Sequence, residues 1–305
     1  MQTRKGTIRA SQAQIGIIGG SGLYHMPGLT DIKEVRVATP FGRPSDLIKI
    51  GSLHGLQVAF VARHGRDHQI LPTAINYRAN IHALKSLGVT RVFSVSAVGS
   101  MKESIRPGDC VLPDQFLDRT TQRANTFFDE GVVAHVAFGY PICQTLSDVL
   151  WKAAQAHPVK VHRPGTYLCI EGPQFSTKAE SLLYRQWGVD VIGMTNIPEA
   201  KLAREAELCY ATLALVTDYD CWHDTEEAVS VGAILEIMHK NVEMAQLVLA
   251  QAIQLAKRLG PCACHRALDH AVITPLSSLA PTARKRYQML LNRHLSTHLA
   301  KKKRS

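Results

Sequence analysis

The run Leu213-Ala214-Leu215-Val216-Thr217 is the length of one β-strand, almost wholly apolar, and stops at two carboxylates one residue apart, Asp218 and Asp220. Apolar residues without alternation suit a strand buried on both faces, as in a parallel α/β sheet. In open sheets of that kind, ligands bind beyond the carboxyl ends of the strands. If extended geometry persists, Asp218 and Asp220 point the same way, with Tyr219 and Trp222 as apolar walls. A strand followed by a solvated turn would carry the same letters, so the rest of the chain has to decide.

Other strand-length runs also end in polar clusters. Gln14 to Gly19 enters Gly19-Gly20-Ser21-Gly22, where glycines allow a sharp turn, and the Ser21 hydroxyl joins exposed amides in an anion-binding nest. The pattern is not GxGxxG, so no dinucleotide is inferred. Gln57 to Ala62 ends in Arg63-His64-Gly65-Arg66-Asp67-His68. Arg grips an oxyanion in two places and His can add a donor; a basic surface loop is the plain alternative. Arg91 to Ala97 brings the Ser96 hydroxyl and the Ala97 amide to a strand end. Gly165 to Gly172 presents Glu171, Phe175 and Ser176 in its turn, and Val189 to Met194 leads to Thr195 at a helix entrance. Unpaired first-turn amides suit a phosphate there, although capping is the competing use of that hydroxyl.

Helical spacing is expected from Pro72 to Leu87, over 143–156 and over 178–187, the last with Ser176 or Thr177 as cap and Glu180 at the capping-box position. A long helix is expected from Val231 to Leu259. Asp114 to Phe128 shows no period and is expected to be a functional excursion. Composition changes at Pro261, which divides a domain over 12–260 from an extension over 261–305 with a basic tail that need not be ordered. Of the net charge of +10, eight Lys/Arg without any Asp/Glu lie in residues 284–305, so the remainder carries only +2 (10 − 8). The basicity is therefore assigned to a solvated tail, and nucleic-acid binding is not expected. No window is long enough to span a bilayer, and the polar first twelve residues lack a signal-peptide core. Seven cysteines without framework spacing fit a reducing compartment, the cytoplasm. Cys262, Cys264 and His265 look like half of a metal site, but no second pair follows in sequence, so no metal is expected.

If the strand ends converge, Ser21, Arg63, His64, Ser96, Ala97 and Thr195 form a phosphate cradle, while Phe175, Ser176, Met194, Asp218 and Asp220 form an apolar slot with acceptors. The stretches IGIIGGSGL, TPFGRPSD, ARHGRDH, VSAVGS, PGDCVLPDQFLDRTT, IEGPQFS, GMTNIPE and TDYDCWHDTEEAVSV occur in that order over roughly residues 14–255. Together they resemble the trimeric nucleoside phosphorylases, most closely the branch acting on 5'-methylthioadenosine. The resemblance implies an α/β fold with a mixed, partly closed central sheet flanked by helices, and a homotrimer. It implies no cofactor, with orthophosphate as co-substrate displacing a purine from a nucleoside. It makes Asp218 a general acid toward purine N7, its pKa raised by the pocket and by Asp220, and sets Met194 against the ribose. It places His68, Val231, Ile234, Leu235 and a neighbouring subunit's His135 around the 5'-substituent. Related 6-oxopurine enzymes carry Glu where Ser176 stands and Asn where Asp218 stands, which favours adenine here. Open alternatives are a phosphorylase of adenosine, 5'-methylthioinosine or inosine, and a nucleoside-binding protein on the same fold.

Overall fold

The apolar runs become one mixed sheet of eleven strands in a computed structural model that describes residues 13–223 and 231–302. In chain order the strands are β1 (Ile15–Gly19), β2 (Thr30–Val35), β3 (Ile48–Leu53), β4 (Leu56–Ala62), β5 (Arg91–Ser100), β6 (Cys110–Val111), β7 (Gln115–Arg119), β8 (Val161–His162), β9 (Thr166–Ile170), β10 (Val191–Gly193) and β11 (Cys209–Asp218). The helices are α1 (Tyr77–Ser86), α2 (Gln144–Ala154), α3 (Lys178–Gln186), α4 (Asn196–Glu205), α5 (Val231–Ala256) and α6 (Pro281–Lys302). The expected cap of α3 is present: the Thr177 hydroxyl accepts from the Glu180 amide, and the Glu180 carboxylate accepts from the Thr177 amide. His54 and Gly55 both take positive φ between β3 and β4, as a twist-matched two-residue hairpin turn requires.

The ten residues of β5 create the crevice. One side pairs with parallel β1 as far as Ser94, opposite Ile18, and picks up antiparallel β10 only from Gly99, opposite Ile192. Residues 95–98 have no ladder partner on that side, so their edge faces a gap. On the other side β11 runs in parallel with β5 along its length, with a register shift between Val216 and Asp218. A point where neighbouring strands part is where an open α/β sheet leaves room for a ligand. Helix α5 packs on β11 and α2, with Val248, Leu249, Ala252 and Ile253 buried.

Three expectations need correction. The packing does not break at residue 260: Tyr287, Leu290 and Leu291 of α6 are buried in the main core. Nor is all of the basicity a solvated tail's, because Arg286 pairs with Asp129 (3.3 Å) and Glu130 (3.1 Å), and Arg293 with Glu207 (2.5 Å) and Asp269. Asp129, Glu130 and Glu207 lie far upstream in the chain, so local composition could not reveal their pairing. Finally, Cys262 and Cys264 do find a second pair, since their sulfurs and those of Cys143 and Cys209 all lie within 4.8 Å of one another. The stretch 114–128 is less irregular than its letters suggest, since β7 pairs with β9 in parallel. No helix among the described residues is long and apolar enough to cross a membrane.

Candidate active site

A cavity of about 360 Å³ opens at the gap beside β5, a size typical of small-molecule sites. Gly20 and Gly22 reach it from the end of β1, Arg63 and His64 from β4, Ser96 to Gly99 from β5, Ile192 to Thr195 from β10, and Thr217, Asp218 and Asp220 from β11. His68, Phe175 and, from α5, Met238 and Val242 complete it. The predicted residues Arg63, His64, His68, Ser96, Ala97, Phe175, Met194, Thr195, Asp218 and Asp220 are thus brought together. Ser176 and His135 do not line it. His135 is exposed, its amide held by the Ala271 carbonyl (2.8 Å). The side chains of Ser21, Val231, Ile234 and Leu235 lie outside the described residues.

At one end stand hydroxyls, amides, a guanidinium and an imidazole. Thr195 precedes α4 and is 6% exposed, yet its side chain makes no capping hydrogen bond, so the competing use of that hydroxyl falls away. Ser96 Oγ donates to Asn196 Oδ1 at 3.2 Å. The Arg63 guanidinium is buried and largely consumed by protein. Its Nε and Nη2 clamp the Glu199 carboxylate (2.8 and 3.0 Å), Nη2 reaches Ser94 Oγ (2.8 Å), and Nη1 reaches the Val95 carbonyl (2.9 Å). One Nη1–H is left, which corrects the expected two-point grip on an oxyanion. Burial opposes the Arg63 charge, but Glu199 more than offsets it and raises its pKa further. His64 also differs from expectation. Burial pushes its pKa down to about 4, with Arg63 and His68 adding to the effect, so the ring is neutral near pH 7. Its Nδ1–H donates to the Ile70 carbonyl (2.8 Å), which leaves Nε2 as an acceptor rather than the predicted donor.

At the other end, Asp218 Oδ1 accepts from the Asp220 amide (2.8 Å) and Oδ2 from the Thr217 hydroxyl (2.7 Å). Asp220 sits in the left-handed region at φ 54° and accepts from Ser181 Oγ (2.5 Å). Burial first, and then the Asp218 charge, raise the pKa of Asp220 against the Ser181 hydrogen bond. Phe175 is 79% exposed at the mouth, so its ring is available to lie on a flat ligand. The Ser176 hydroxyl is buried without a protein partner. Gly193 admits no side chain, because a Cβ there would overlap the Tyr167 hydroxyl.

The sequence reading missed the support beneath these groups. Glu199 Oε1 accepts from the Ser94 hydroxyl (2.7 Å) and the Tyr210 hydroxyl (2.8 Å) as well as from Arg63. Asn196 Nδ2 then bonds the oxygens of Tyr210 (2.8 Å) and Thr212 (2.9 Å). Arg123, 9% exposed, donates to the carbonyls of Met194 and Ile197 (both 2.6 Å) and of Glu171 (2.6 Å), fixing the loop that carries Thr195. It also pairs with the Glu171 carboxylate, which therefore faces protein and not the cavity. Burial opposes ionisation of Glu171, but the Thr121 and Gln122 amides, Thr73 and Arg123 together hold its pKa down at about 2.

Comparison with known proteins bears on this geometry. Residues 14–254 match the profile of the phosphorylase superfamily. An S-methyl-5'-thioadenosine phosphorylase of Koribacter versatilis is 54% identical over 289 residues, covering 95% of this chain and 99% of that protein. Among solved structures, a methylthioadenosine phosphorylase from an antarctic soil metagenomic library superposes with TM-score 0.89 at 50% identity, covering 92% of this chain and 99% of the other. The methylthioadenosine phosphorylase of Schistosoma mansoni in complex with adenine gives 0.79 at 36% identity, covering 84% and 96%.

Proposed function

The chain belongs to the phosphorylase superfamily, and we infer that within it the chain is an S-methyl-5'-thioadenosine phosphorylase. It cleaves S-methyl-5'-thioadenosine with orthophosphate to adenine and 5-methylthioribose 1-phosphate. The observation that carries the reading is a single cavity with a hydroxyl and a guanidinium N–H at one end and the Asp218/Asp220 pair at the other.

In this reading the bond from C1' to the purine breaks first. Its electron pair moves into the base, and the sugar becomes oxocarbenium-like. Asp218 donates toward N7 of the leaving purine, a general-acid role. Thr217 and the Asp220 amide fix the orientation of that carboxyl group. Asp220 accepts from the exocyclic amine. A 6-oxopurine brings an acceptor where an N–H donor is wanted, which such a site rejects. Phosphate sits against Thr195, Ser96, the Ala97 amide, the remaining Arg63 Nη1–H and the nest at Ser21. Neutral His64 Nε2 accepts the hydrogen of a protonated phosphate oxygen. The anion stabilises the sugar cation and then attacks C1', forming the new C–O bond. Redox levels do not change, so the residues and phosphate suffice without a cofactor. Met194 lies along the ribose, with His68 and α5 toward the 5'-substituent.

The assembly in this reading is a homotrimer, in which His135 serves a neighbour's pocket; its exposure in the single chain supports that assignment. Seven unbridged cysteines support a cytoplasmic location. Phosphorus NMR of a reaction mixture tests the function. Orthophosphate should convert to a sugar 1-phosphate ester in step with adenine release, whereas adenine release that leaves orthophosphate untouched would mean hydrolysis.

A further inference from the structure

Four cysteines from three distant segments meet on the side of β11 remote from the active site. Cys143 caps the N-terminus of α2, Cys209 is the first residue of β11, and Cys262 and Cys264 lie in the turn between α5 and α6. All four sulfurs lie within 4.8 Å of one another, and Cys143 Sγ is 3.7 Å from Cys262 Sγ. A zinc–sulfur bond of about 2.3 Å gives a tetrahedral sulfur–sulfur edge of about 3.8 Å, whereas a disulfide needs about 2.05 Å. Each cysteine is a free thiol, and Cys143 and Cys209 are buried. Four apolar thiols packing by chance need no polar support, but this cluster has it. His265 Nδ1 accepts from the Cys262 amide (3.4 Å), so the ring proton sits on Nε2, between the Thr90 carbonyl (3.3 Å) and Cys209 Sγ (3.5 Å). The His265 amide donates to the Cys262 carbonyl (3.0 Å), with Cys262 Sγ as its second acceptor. N–H groups aimed at sulfur are what metal-bound thiolates use as outer support, and a helix N-terminus at Cys143 favours the same negative charge.

We propose that Cys143, Cys209, Cys262 and Cys264 form a tetrahedral structural zinc site that clips the segment leading into α6 onto the start of β11 and the head of α2. Binding exchanges up to four thiol protons for one divalent cation, without change of oxidation state. A cavity of about 60 Å³ lined by Arg91, Cys143, Cys209 and Cys262 provides the entry path. All four ligands are protein sulfurs and no coordination position is left open, so the site supports the fold and takes no part in catalysis. Arg91 adds to the clip by donating to the carbonyls of Leu259 (2.9 Å) and Gly260 (2.7 Å), directly before the Cys262 turn.

The test is elemental analysis of the full chain purified under reducing conditions without chelator. Roughly one zinc per chain is expected, falling at least tenfold in Cys143→Ser and Cys264→Ser and unchanged in Cys221→Ser, whose thiol is exposed elsewhere. Cobalt exchanged into the wild-type chain should give the strong visible and near-ultraviolet bands of a tetrahedral thiolate complex, a readout that does not depend on any variant folding. Zinc at background level, with these four cysteines titrating as free thiols or recovered as disulfides, would overturn the proposal, as would zinc retained in full by both ligand variants.

Discussion

Glu199→Gln isolates what the active-site floor contributes, because it changes one buried group by one charge. Glu199 is 1% exposed and Arg63 2% exposed, so the pair is shielded from solvent screening. Gln keeps one oxygen for Ser94 and Tyr210 but turns an amide toward the Arg63 Nε–H, setting donor against donor. Leaving a buried guanidinium without its counter-ion typically costs about 3–5 kcal/mol. For a domain of this size each kcal/mol moves the melting temperature by roughly 2 °C, so a fall of about 6–10 °C is expected by calorimetry. Arg63 should also lose its fixed direction, and with it the remaining Nη1–H. The KM for phosphate should rise about tenfold or more, while that for methylthioadenosine changes by less than about threefold. An unchanged melting temperature would show that the carboxylate is not holding the guanidinium. An equal rise in both KM values would remove the link between this pair and phosphate.

Thr195→Val keeps the shape at the start of α4 but deletes the uncapping hydroxyl, so phosphate KM should rise about tenfold with little change in melting temperature; an unchanged KM in initial-rate assays would take Thr195 out of the cradle. Asp218→Asn removes the acid and should lower kcat on methylthioadenosine by about a hundredfold or more, measured by adenine release, with phosphate KM nearly unchanged. His64 and His82 both have pKa values lowered from 6.5 to about 4, in each case through burial first. A depressed folded-state pKa favours folding above the unfolded value of 6.5, and that advantage is lost as pH falls through 4. Each contributes about 3 kcal/mol to the difference. Urea unfolding should therefore show stability falling between pH 6.5 and 4, less steeply in His82→Phe, and a flat profile there would refute the assignment.

The strand ends were legible in sequence because a doubly buried strand must end where its apolar run ends, and polar letters beyond it have few other uses. Thr195, Asp218 and Asp220, read in this way, line the cavity. The states of these groups were not legible. Whether Arg63 offers two N–H groups or one depends on Glu199, 136 residues away. Whether His64 donates or accepts depends on the Ile70 carbonyl. Arg123 looked like part of a polar excursion because its carbonyl partners carry no sequence signature. The cysteine cluster and α6 share one cause: Cys143 and Cys262 are 119 residues apart, Tyr287 and Asp129 158, and Arg293 and Glu207 86. Local spacing locates the ends of elements, but only the fold decides which of those ends are neighbours.

The central claim is a two-ended cavity that couples phosphate to the loss of an aminopurine. Initial rates on methylthioadenosine, adenosine, methylthioinosine and inosine, each with and without orthophosphate, test it most directly. Phosphate-dependent adenine release, fastest from methylthioadenosine and at least a hundredfold slower for both inosine substrates, is the expected result. Faster turnover of an inosine substrate, or equal rates without phosphate, would contradict it.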